Sequence, residues 1–132
     1  MEGKTRRKIL VFGNPMLKQD SIPLLLLGRL KDRFPEFEFK EFDPNENLER
    51  EGRDICIVDT VEGIDKAMLI TDIDSIKTQK IYSMHDFDLG YTLKLLKKLG
   101  YIDSVLIFGV PMKITTDEAF RQLCTLISVN LS

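Results

Sequence analysis

Short unbroken apolar runs alternate along this chain with stretches in which apolar residues return every three or four positions. Ile9-Leu10-Val11-Phe12 is closed by Gly13-Asn14-Pro15, the pattern of a strand buried on both faces. Asp20-Ser21 then precedes Ile22-Pro23 and a leucine-rich stretch to Phe34, which predicts a helix with an acid or serine cap and proline in its first turn. Phe37, Phe39 and Phe42 predict a second strand ending at Asp43-Pro44. Asp43 is placed as the cap of a short helix, with Pro44 at its first position, Glu46 completing the box and Gly52 ending it. Asp54 to Asp59 reads as a buried strand that leaves the sheet on an acid. Met68 to Thr71 predicts a fourth strand, and the short link back to Asp59 predicts an antiparallel pair.

Ser83-Met84-His85-Asp86 resembles a capping arrangement opening a helix that runs to Leu99-Gly100, with Leu89, Leu93, Leu96 and Leu99 at helical spacing. Ser104 to Val110 is the last central strand. Thr115-Thr116-Asp117-Glu118 is a capping box for a C-terminal helix whose apolar face includes Phe120, Leu123, Ile127 and Leu131. Strands alternating with helices predict an α/β fold with a largely parallel sheet covered on both faces. Function in such sheets sits at the carboxyl ends of the strands.

Composition narrows the classes. A length of 132 residues suits one domain, 1–132, and 43% hydrophobic residues suffice for a core. Formal net charge is −2, which gives no electrostatic case for nucleic acid or an anionic membrane as main partner. The basic start, Lys4 to Lys8, precedes an apolar run too short for an export signal, and Leu24 to Leu27 is too short to span a bilayer. The expectation is a cytoplasmic protein without membrane insertion. Cys56 and Cys124 form no CxxC pair; Cys56, flanked by Ile55 and Ile57, reads as a small core hydrophobe.

The polar residues at the carboxyl edge carry the chemistry. Gly13-Asn14-Pro15 belongs to no GxGxxG or Walker loop and is read first as a tight turn. Asp20 is the only carboxylate between the first strand and its helix. Asp59 ends an apolar run, and His85 is the only histidine of the chain. A histidine in the first turn of a helix is held neutral by the dipole, and neutral imidazole is the form that ligates metals. Two oxygens and one imidazole make a first-row metal set with open positions, suited to an exchangeable or sensing site. No HExxH is present, so the zinc-protease helix is excluded.

Gly13-Asn14-Pro15 after a buried strand, Asp20 six residues beyond Asn14, Ile-Val-Asp ending at Asp59, and Ser-Met-His85 together resemble the [NiFe]-hydrogenase maturation endopeptidases. Ile107-Phe108-Gly109-Val110-Pro111 is similar to that family's final strand and Gly-Val turn, and the match is collinear from Ile9 to the C-terminal helix. The resemblance implies a three-layer α/β/α sandwich with a mostly parallel five-stranded sheet and helices on both faces. It implies removal of a C-terminal extension from a [NiFe]-hydrogenase large-subunit precursor after nickel insertion. Asp20, Asp59 and His85 match the three metal-contacting positions and are carried over as metal-contacting and catalytic. Gly13, Asn14 and Asp43 are carried over as substrate-contacting. The nickel is expected to arrive on the precursor, with no organic cofactor. Two loops depart from the family: Met16-Leu17-Lys18-Gln19 replaces a Gly- and Asp-rich segment, and Pro44-Asn45 a pair of glycines. Both bear on which precursor is recognised.

Other classes make different demands. A nickel-precursor chaperone would use the same residues without cutting. A receiver-like module would phosphorylate Asp59 and sense the phosphate through Lys113, although the first strand's exit lacks the paired acids that would hold magnesium. A flavodoxin-like binder would need a Ser-, Thr- and Gly-rich first loop, which is absent.

Overall fold

The computed structural model describes residues 6–12, 22–42, 47–71, 82–83 and 89–131, with 82–83 and 89–90 by their backbone alone. Its strands are β1 (Arg7–Val11), β2 (Phe37–Glu41), β3 (Asp54–Glu62), β4 (Met68–Ile70), β5 (Tyr82–Ser83) and β6 (Ser104–Pro111). The helices are α1 (Ile22–Arg33), α2 (Leu89–Lys98) and α3 (Thr116–Leu131), with a 3-10 turn at Leu48–Glu51.

Five strands lie in the order β2-β1-β3-β6-β4, and β5 pairs with β3 off this path. β2, β1, β3 and β6 run parallel, while β4 is antiparallel to β6. This is the expected mostly parallel five-stranded α/β sheet. The expected partner of β4 was β3, and that is corrected. Both flanks of β3 are taken by parallel apolar strands, its ladder with β6 running from Asp54↔Ser104 to Val61↔Pro111. The outer flank of β6 is the position left for β4.

Strict alternation sorts the core into two layers. Leu10, Ile55, Ile57, Val61, Val105 and Ile107 face one side, where Leu93 and Leu96 of α2 cover them. Ile9, Val11, Cys56, Val58, Phe108 and Val110 face the other, under Leu26 and Leu30 of α1 and Leu123 and Ile127 of α3. The unbroken apolar runs of β1, β3 and β6 follow from burial on both faces. Helices α1 and α3 are tied to each other by Arg29, which donates to Asp117 at 3.0 Å and lies 4.2 Å from the Phe120 ring centroid.

Local capping follows the sequence in two places. The Glu118 amide donates to Thr115 Oγ1 at 3.2 Å, opening α3 as expected. At the end of α2, Gly100 takes φ +82°, its amide donates to the Lys97 carbonyl at 3.1 Å, and the Tyr101 amide donates to the Leu96 carbonyl at 2.9 Å. This is a Schellman closure, which needs a residue free of a Cβ at the left-handed position. Leu99 is exposed where periodicity placed it inward, because it stands four residues past the exposed Leu95 on the outward side of the helix.

Among the described residues a 3-10 turn follows β2 and closes at Gly52, the expected end. It begins at Leu48 after Asn47, which makes no side-chain cap bond, and Gly52 ends it at φ +124°. Tertiary contacts fix it: Leu48 is buried, and Glu51 accepts from Lys8 at 3.0 Å and Lys40 at 3.1 Å. The cap proposed at Asp43 lies outside the described residues. No helix among the described residues is long and apolar enough to cross a membrane.

Candidate functional site

The parallel strands β1, β2, β3 and β6 put their carboxyl ends on one edge, and the strand order reverses between β1 and β3. The chain passes from β1 outward to β2 and then returns to β3 on the other flank, which makes the space beyond their ends the switch-point crevice. The β1–β3 ladder ends at Val11↔Val58, with the Phe12 amide donating to the Val58 carbonyl at 2.8 Å. Pairing on that flank of β3 resumes at Val61↔Ser83 and Glu62↔Tyr82 with β5. Asp59 and Thr60 therefore occupy the stretch of β3 between the two ladders, at the crevice.

Asp59 does not end its strand, as the sequence suggested; β3 continues to Glu62. It is completely buried, with 0% exposure, so the expectation of a carboxylate carried on buried backbone holds. Its parity with Ile55, Ile57 and Val61 puts it on the α2 face. One row crosses the sheet at this level. Asp59 faces Gly109 on β6, and Gly109 faces Met68 on β4. On the other side the ladder continued by one step reaches Phe12 and then Phe42, whose rings stack with centroids 5.1 Å apart at 15°. Asp59 thus stands in one row between an aromatic pair and a glycine.

Gly109 is required by close approach. A Cβ there would lie 3.0 Å from Val61 Cγ2 and 3.5 Å from Ile64 Cδ1. Gly109 and Val110 lie within β6, as the strand reading of Ser104 to Val110 expected, so the Gly-Val turn implied by the family resemblance falls inside the strand. On the opposite face of β3, Thr60 is fully buried, and its Oγ1 has no hydrogen-bond partner among the described residues. Thr60 was missed in the sequence, although a hydroxyl directly after Asp59 in an otherwise apolar strand was a readable signal.

Of the other candidates, Gly13, Asn14, Asp20, Asp43 and His85 all lie outside the described residues. The described chain approaches them closely: Phe12 precedes the first group, Phe42 precedes Asp43, and Ser83, two residues before His85, pairs with Val61 of β3. Among the described residues there is no cluster of three His, Cys, Asp or Glu able to hold a metal.

Cys56 behaves as expected of a core residue. It is buried on the α1 and α3 face, and burial pushes its thiol up to about 12 despite the nearby Arg7. A thiol so protonated is a poor nucleophile at neutral pH. Lys113 is exposed just past β6. The ion pair of Arg53 with Asp103, at 2.8 and 2.9 Å, and the bond from Ser104 to Asp54 at 2.7 Å belong to the amino-terminal edge, away from the crevice. A separate open groove of about 470 Å³ lies along β4 and α3, lined in part by Met68, Leu69 and Gln122.

No protein-family model and no curated protein matches this chain. Two solved structures do. The crystal structure of a hydrogenase 3 maturation protease superposes with a TM-score of 0.62 at 19% identity, covering 91% of this chain and 88% of that one. An uncharacterized protein from Wolinella succinogenes superposes with a TM-score of 0.60 at 16% identity, covering 96% and 97%. The chain has a hydrogenase-maturation-protease-like α/β fold.

Proposed function

We propose that this chain is an endopeptidase that removes the C-terminal extension of a [NiFe]-hydrogenase large-subunit precursor, and that it recognises the nickel already installed there. The observation that carries this is the burial of Asp59 at the switch-point crevice of a fold shared with a hydrogenase 3 maturation protease. Asp20, Asp59 and His85 are assigned to contact the nickel, and Gly13, Asn14 and Asp43 to contact the precursor. The β3–β5 register supports joining Asp59 with His85. Ser83 faces Val61 and Tyr82 faces Glu62, so the chain two residues before His85 is paired to the strand that carries Asp59.

The nickel is substrate-borne in this scheme, so its absence from the precursor leaves the scissile segment unpositioned. Hydrolysis adds water across the peptide C–N bond: hydroxide oxygen joins the carbonyl carbon, and the leaving amine takes the proton. A carboxylate of Asp20 or Asp59 is suited to accept the proton of that water. A covalent thiol route is disfavoured by the burial of Cys56 and its raised thiol. The first strand's exit lacks the paired acids that would hold magnesium, which weighs against a receiver-like module.

Substitution separates the roles. Asp59→Asn and His85→Ala are expected to abolish processing of nickel-loaded precursor while the far-ultraviolet circular dichroism stays that of the wild type. Processing retained by folded His85→Ala removes His85 from the mechanism. Binding by wild-type protein that is lost in both variants, with the wild type never cutting, points instead to a nickel-precursor chaperone.

A further inference from the structure

Six large hydrophobic residues are exposed among the described residues, and four of them are Tyr91, Leu95, Leu99 and Tyr101. Their exposures are 62%, 41%, 59% and 54%. Tyr91, Leu95 and Leu99 recur every four residues and form one ridge along α2, opposite the buried Leu93 and Leu96. Tyr101, also exposed, follows the Schellman closure. Lys94 and Lys98, one turn apart, form a second ridge beside it, and Lys97 adds charge at the same end. All three lysines are exposed, and the helix contains no acid. A chain of net charge −2 thus places three lysines next to this exposed apolar ridge.

Scattered exposed apolar residues are ordinary, but a contiguous ridge marks an interaction surface. We propose that the outward face of α2 docks an amphipathic helix of the precursor, with its apolar ridge on Tyr91, Leu95, Leu99 and Tyr101 and an acidic ridge against Lys97 and Lys98. The identity of this partner rests on the peptidase reading above. Parallel apolar and charged ridges suit helix-in-groove recognition, in which anchors repeat every turn. A second α2 has no acid to meet the lysines, which disfavours a copy of this helix as the occupant.

The test is calorimetric binding of nickel-loaded large-subunit precursor to wild type, Leu99→Glu, the double variant Lys97→Glu/Lys98→Glu, and the control Val129→Glu on α3. All four changes lie at exposed positions, and circular dichroism checks the fold. At least tenfold weaker binding by the two α2 variants, with the control unchanged, is expected. Equal affinity of all variants overturns the docking face and leaves the peptidase reading intact. Equal weakening by Val129→Glu also overturns it, since overall charge would then govern binding. Ridge-dependent binding to phosphatidylserine vesicles, or self-association that Leu99→Glu abolishes, would reassign the face to a membrane or a second copy. A wild type that binds no precursor defeats the peptidase reading itself, and this partner with it.

Discussion

Asp59 on β3 stands opposite Gly109 on β6, where a Cβ would come within 3.0 Å of Val61 Cγ2, on the same face as the carboxylate. A side chain at 109 therefore presses on the strand segment that holds Asp59. Gly109→Val should destabilise by about 1–3 kcal/mol, the usual range for overpacking a filled core. Urea unfolding should show a lower midpoint at an unchanged slope. A midpoint equal to that of the wild type would show that Val61 yields freely.

Glu51 ties the 3-10 turn to the sheet through Lys8 and Lys40. Burial raises its pKa, but the hydrogen bonds and charges of the two lysines outweigh this and hold it below its ordinary value of 4.5. A depressed carboxylate contributes stability above its unfolded pKa and loses it as pH falls through the folded value. Glu51→Gln should cost roughly 1–2 kcal/mol at pH 7, discounted for the partly exposed lysines. That difference should shrink below the ordinary value, so urea midpoints of the two proteins should converge in acid.

Thr115 Oγ1 satisfies one of the free amides that open α3. Thr115→Ala is expected to lower stability by about 1 kcal/mol. Thr115→Ser should restore most of it in the same thermal melts, because serine keeps the accepting oxygen.

Cys56 should resist alkylation in the native protein at pH 8, since its thiol is buried and pushed up to about 12. Iodoacetamide labelling followed by mass spectrometry should modify it only after unfolding in urea. Rapid native labelling at Cys56 would contradict the packing of β3 against α1 and α3.

Much of the fold was legible because burial on both faces leaves a plain record. Ile9 to Phe12, Ile55 to Val58 and Val105 to Val110 are unbroken apolar runs, and all three became central strands. Thr115 and Gly100 marked helix ends through local chemistry that needs no tertiary context. The partner of β4 was not legible, because proximity in sequence favours β3 while the sheet had already filled both flanks of that strand. The extension of β3 past Asp59 was hidden by two successive polar residues, Asp59 and Thr60, which read as a strand end although both are buried. Leu99 kept helical spacing from Leu96 but stands four residues past the exposed Leu95, on the outward side of the helix. Asp59 itself could be singled out from sequence, since a carboxylate closing an apolar run needs a reason. Its row of neighbours, Phe42, Phe12, Gly109 and Met68, depends on strand order and register and so appears only in the fold.

The most direct test is mass spectrometry of a hydrogenase large-subunit precursor from the same organism, nickel-loaded or nickel-free, incubated with and without this protein. Loss of a C-terminal peptide from the nickel-loaded precursor alone, and only when the protein is present, is the predicted result. Cleavage of both forms alike would contradict nickel recognition, and no cleavage of either would contradict the peptidase.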